Sequence, residues 1–239
     1  FYRSFDPIKE FTRKWTPQQN HNLSVTGGNR TTTYNISLSY LSQKGVMKFN
    51  TDKYDRYTLH SNITTNVTKW WRVRSNILFT RSVNDQPYRF TSGQYDAWFY
   101  LLRWPRWYPY ADYEGKPFRS AVTDIKAGNR ESLTSTYLRA NLGTELNPLK
   151  NMTVNFDYTF GYVNDATKRN GGRVTAYDMF ATAPFSNYKD LYGSTHDRVI
   201  QQSSYTLQNI FKAYATFNFN LEQKHDFKLM AGFDAETRE

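Results

Sequence analysis

The sequence of 239 residues contains no cysteine, which excludes thiolate-held zinc, iron–sulfur clusters and a disulfide framework. It contains no uninterrupted apolar run of about 18 residues, so no transmembrane helix is encoded, but a membrane β-strand needs only about 9–11 residues of alternating polarity. With 12 glycines and 8 prolines it cannot be collagen-like, and neither a P-loop nor a dinucleotide-binding glycine fingerprint is present. Phe1-Tyr2-Arg3-Ser4 provides neither an initiator methionine nor an apolar signal segment, and the expectation is a processed chain or an internal piece.

Aromatic rings are plentiful. The chain has 17 Phe, 19 Tyr and 6 Trp, within a composition that is only 38% hydrophobic and has a mean hydropathy of −0.77. That aromatic content argues against disorder. The 31 basic residues exceed the 21 acidic ones, giving +10, a balance compatible with nucleic acid or an anionic membrane surface.

Polarity alternates with a period of two along most of the chain, the signature of strands with one apolar and one wet face. Leu138, Ala140, Leu142 and Leu146 share a parity against Arg139, Asn141, Glu145 and Asn147. Met152, Val154, Phe156, Tyr158, Phe160 and Tyr162 oppose Thr153, Asn155, Asp157 and Thr159. The same reading predicts eight strands, near 21–28, 32–42, 54–67, 71–82, 135–147, 152–163, 204–220 and 225–236. The connections near 29–31, 68–70, 148–151 and 222–224 are short, and those near 43–53, 83–134 and 164–203 are long. Because antiparallel neighbours reverse direction, all short turns fall at one end of the sheet and all long loops at the other, as in outer-membrane barrels. A soluble sandwich explains the alternation but not the segregation of loop lengths. Eight strands could close a small barrel, yet loops of this size fit a portion of a larger one better.

His21 to Asn29, Thr32 to Val46, Tyr57 to Asn62 and Leu138 to Gly143 together resemble the SusC/RagA-like TonB-dependent outer-membrane transporters of Bacteroidetes. The resemblance implies an all-β, antiparallel transmembrane β-barrel segment, about eight strands of a barrel of about 22. It implies that residues 1–239 are a partial barrel whose plug and remaining strands lie elsewhere. It also implies outer-membrane nutrient uptake, with glycans or oligosaccharides as the typical cargo and peptides in some members. The implied partners are a SusD-like surface lipoprotein, the TonB–ExbB–ExbD complex acting through the plug, and outer-membrane lipid. An outer-membrane adhesin or surface-binding receptor is the alternative.

The strongest binding candidates lie in one aromatic and charged stretch of the second long loop. There Tyr95, Trp98, Tyr100, Trp104, Trp107, Tyr108 and Tyr110 offer ring faces, and Asp96, Arg103 and Arg106 offer directional polar contacts to a substrate or partner. Structural packing of the same rings is the competing reading. Tyr177, Phe180, Phe185, Tyr188 and Tyr192, around Pro184, mark a second folded loop. Trp70 and Trp71 suit a membrane interface, although their opposite parity keeps both from facing lipid in one strand. His21, His60, His196 and His225 are too dispersed for a metal set, and no carboxylate pair or Ser/His/Asp spacing suggests catalysis. Neither an enzyme, a cofactor, a metal nor a nucleic-acid partner is expected. The six Asn-x-Ser/Thr matches at Asn22, Asn29, Asn35, Asn62, Asn66 and Asn151 are attributed to composition.

Overall fold

The computed structural model describes residues 6–87, 112–113, 116–118, 126, 129–173, 175–177, 188–190, 199–221 and 224–239. In chain order the elements are α1 (Pro7–Phe11), β1 (Gln18–Gly28), β2 (Thr32–Lys44), β3 (Lys53–Asn66), β4 (Trp71–Pro87), β5 (Asp112–Tyr113) and β6 (Lys116–Pro117). They continue with β7 (Arg130–Leu149), β8 (Met152–Arg169), β9 (Thr175–Tyr177), β10 (Tyr188–Asp190), β11 (Ile200–Leu221) and β12 (His225–Arg238).

All eight expected strands are present, and they form one sheet in the order β1-β2-β3-β4-β7-β8-β11-β12, with every ladder antiparallel. The short turns have local chemistry that ends one strand and starts the next. The Asn29 side chain accepts hydrogen bonds of 2.8 Å from the backbone N–H groups of both Thr31 and Thr32, a side-chain-closed turn. Pro148 lacks an N–H, and the β7–β8 register shifts between Leu146 and Leu149.

Cross-strand partners share a face, so the register decides where the apolar residues go. Leu23, Leu38, Leu59, Phe79, Leu138, Tyr162 and Leu207 are successive partners across seven strands. All the apolar parities expected from sequence merge into one face. On that face the apolar stretch runs from Trp71 to Phe79 in β4, from Leu138 to Leu146 in β7 and from Val154 to Tyr162 in β8, close to the roughly 9–11 residues that cross a bilayer.

Among the described residues, nothing covers this face. Leu23 is 63%, Leu142 57% and Phe233 67% exposed, whereas the buried apolar residues among those described are Phe11, Met47, Phe118, Ala176 and Tyr177, none of them on the eight long strands. A soluble sandwich would bury one sheet face against another, so the sandwich reading fails on this observation. The small core sits at the long-loop end. There Thr12 bridges Met47, the Phe11 and Phe49 rings meet edge to face at 5.8 Å, and Phe118 bridges Tyr177 to join the second and third long loops.

The strands are also staggered as a barrel requires. His21, Tyr40, Tyr57, Arg81, Thr136, Asn164 and Tyr205 form one row across the sheet. From this row the short-turn end lies at Thr32 in β2 but at Leu221 in β11, twice as far along the strand. If the short turns lie level in a membrane, a stagger of about 26 Å along the strands over about 24 Å across them tilts the strands by roughly 45°, near the tilt of closed barrels.

Candidate functional site

The wet face and the long-loop rim carry the polar chemistry. On the wet face, Arg74, Gly143, Asp157, Lys212 and Asp234 are successive cross-strand partners, so charges alternate across five strands with one gap at the glycine. That gap has a purpose. A Cβ built on Gly143 would collide with Asp157 Oδ1 and press on the Arg74 guanidinium. Without it, Arg74 crosses β7 to reach Asn155 Oδ1 at 3.3 Å and Asp157 Oδ1 at 3.5 Å. Lys212 reaches Asp234 at 3.3 Å, and Arg72 reaches Glu145 at 3.3 Å one row closer to the short turns.

Amide side chains continue the pattern. Asn76 donates to Asn62, Asn141 donates to Thr159 Oγ1 at 2.8 Å, and Gln208 donates to Glu236 Oε1 at 2.6 Å. Such a surface offers both hydrogen-bond donors and acceptors, with three ion pairs compensating charge across the strands. Among the described residues no group of three or more His, Asp or Glu could hold a metal ion.

At the rim, Arg130 commits its guanidinium to the connection between β2 and β3. It donates to Asn50 O at 3.1 Å, Asn50 Oδ1 at 2.6 Å and Thr51 O at 3.1 Å, and also to Asp85 Oδ1 at 3.1 Å and Asp85 O at 3.0 Å. Asn50 adopts a positive φ of 44°, a conformation asparagine tolerates better than most residues, and this presents its carbonyl and side chain together. Beside this clamp, Glu131 is 5% exposed and accepts from Arg169 Nε at 2.5 Å and Gln86 Nε2 at 3.0 Å. Sequence reasoning missed both groups, because their partners lie 38 to 80 residues apart and no local spacing announces them.

The expected aromatic site, Tyr95, Asp96, Trp98, Tyr100, Arg103, Trp104, Arg106, Trp107, Tyr108 and Tyr110, lies outside the described residues. So do Phe180, Pro184, Phe185, Tyr192 and His196. Tyr177 is buried, with its ring 6.2 Å from Phe118 and Lys116 Nζ 5.9 Å above it, a structural role. Tyr188 pairs with Tyr177 in the short β9–β10 ladder. Trp70 belongs to the turn rather than to β4, so strand parity does not separate it from Trp71. The two rings stack at 6.4 Å, and Trp71 Nε1 donates to Thr144 Oγ1 at 2.7 Å. His60 lies 3.2 Å from the Asn62 amide and His21 stacks on Tyr40.

No family model matches the sequence, and no curated protein matches it. Solved structures do. The RagAB peptide importer in its open-open state superposes with a TM-score of 0.71 at 18% identity, over 100% of this chain and 27% of that one. Its closed-closed state gives 0.69 at 18% identity, over 99% and 27%. The outer membrane transporter YddB from Escherichia coli gives 0.50 at 11% identity, over 92% and 27%. The fold is that of an outer-membrane transporter barrel. In such a fold an apolar outer face meets lipid and a polar inner face lines the lumen, and the chain spans about 27% of the length of the matched structures.

Proposed function

We propose that this chain is part of the wall of a SusC-like, TonB-dependent importer of nutrient oligomers, whose plug and other strands complete a barrel of about 22. The observation that carries this reading is the pairing of an uncovered lipid-facing belt with a charge-laddered lumen face inside a sheet whose long loops share one end. Peptides are the first cargo to test, because the RagAB structures are of a peptide importer or transporter, and oligosaccharides, favoured by the sequence resemblance, are the second. The lumen suits either, since its paired side chains offer both donors and acceptors. A surface lipoprotein would close the long-loop end, and the aromatic stretch 95–110 is assigned there as a contact for that lipoprotein or for cargo.

The test is uptake of labelled oligopeptides and oligosaccharides by cells expressing the whole transporter, with and without a protonophore and with TonB deleted. Energy- and TonB-dependent accumulation of one class supports import. Surface binding of cargo that is unaffected by either treatment would favour the receptor reading. Trp98→Ala and Trp107→Ala variants are expected to lose about 1–3 kcal/mol of affinity for cargo or lipoprotein if those rings anchor an interface, at unchanged surface abundance.

A further inference from the structure

The outward face of the sheet has a feature that transport does not use. Arg81 lies on the lipid-side parity of β4, directly opposite Tyr57 and one pleat beyond the Phe79–Leu59 pair. It is exposed and forms no hydrogen bond or ion pair among the described residues, unlike Arg72, Arg74 and Arg130. Below it lies an apolar groove of about 540 Å³, walled by Leu23, Leu38, Tyr40, Tyr57, Leu59 and Phe79. Further toward the long loops, Lys44 and Lys53 are cross-strand partners on the same outward face, both exposed. The acidic neighbours there are already engaged, Asp55 by Lys53 at 2.7 Å and Asp85 by Arg130. The surface just above the belt is therefore net basic over an apolar slot.

We propose that this face is a binding site for a phosphate-bearing lipid of the outer leaflet, with the Arg81 guanidinium on the phosphate and an acyl chain in the groove beneath. The fit is one of charge and depth. A guanidinium presents a planar fork to phosphate oxygens, and Arg81 stands at the edge of the apolar belt, where lipid headgroups begin. Tyr40 and Tyr57, with ring centroids 5.0 Å apart, form the interfacial lip on which the head of the lipid rests. A protein partner would have to displace lipid from a face whose apolar residues lie within bilayer depth, so a lipid is the occupant that the surroundings supply.

The experiment uses the full-length transporter in phosphatidylethanolamine nanodiscs doped with bisphosphoryl lipid A or with its fully dephosphorylated counterpart, and reads retained lipid by native mass spectrometry. The expected result is one tightly retained bisphosphoryl lipid A, preferred over the dephosphorylated form by about tenfold. Arg81→Glu should abolish that preference, Arg81→Lys should keep part of it, and Leu38→Trp, which fills the groove, should lower retention of both lipids. Correct insertion is read by heat-modifiable mobility, and Arg81→Gln stands in if the charge reversal fails to insert. An unchanged preference in an inserted Arg81→Glu or Arg81→Gln protein overturns the proposal, as does a wild type that retains both lipids equally. Retention is measured without cargo or energy, so its failure leaves the import reading untouched.

Discussion

Gly143 shows how little of a membrane wall's wiring lies in the residues that carry charge. As one polar-parity position among many, it has no visible role in the sequence. In the sheet it is the opening through which Arg74 meets Asp157, 83 residues away. Gly143→Ala should cost about 0.5–1 kcal/mol, because the pair is partly solvated, and the loss should shrink in an Arg74→Ala background, where Asp157 is free to turn away. Urea titration of the heat-modifiable form, run as a double-mutant cycle, measures the coupling. Trp71 makes the complementary case at the membrane interface. Its placement beside a short turn was legible from the sequence, but its hydrogen bond to Thr144 was not, since it depends on the β4–β7 register. Trp71→Phe keeps a ring at the interface and removes the donor, and should destabilise by about 1 kcal/mol in the same assay.

Strands were legible where lipid forces alternation and became illegible where it does not. The sequence predicts strands ending near Ser82 in β4 and Val163 in β8, yet the ladders run on to Pro87 and Arg169. β7 starts five residues earlier than expected, at Arg130. Beyond the belt both faces meet water, so the period of two fades while backbone pairing continues, reinforced by contacts such as Glu131 with Arg169. The same contrast yields a test of the face assignment. Leu142→Arg places a charge on the lipid side within the belt and should cost about 2–4 kcal/mol, whereas Asn141→Arg should lose its bond to Thr159 and the longer one to the Tyr158 carbonyl, about 1 kcal/mol. Comparable costs for the two adjacent positions would contradict the assignment. At the long-loop end, Arg130→Ala should free the connection at residues 45–52, raising its proteolysis several-fold in intact outer membranes while the urea midpoint of the barrel moves little.

For the whole molecule, the decisive feature is an open sheet. β1 pairs only with β2 and β12 only with β11 among the described residues, and no ladder joins β12 to β1. The strand count allows a closed eight-strand barrel as a competing solution, and the sheet order shows no such closing ladder among the described residues. Each outer edge presents backbone N–H and C=O groups at bilayer depth, where an unsatisfied group costs several kcal/mol, so a dozen such positions would exceed the stability of an ordinary domain. On the proposed reading of a larger barrel, further strands pair with both edges on insertion. The 239 residues expressed alone and refolded into detergent or lipid should give aggregates or edge-paired oligomers, and co-refolding with the remaining strands of the full transporter should rescue a heat-modifiable species. Size-exclusion chromatography with light scattering reads the outcome, and hydrogen exchange at the β1 and β12 amides identifies the edge that is paired. A monodisperse monomer from these residues alone, with protected amides in both β1 and β12, would show that the two edges close on each other and that no further wall is needed.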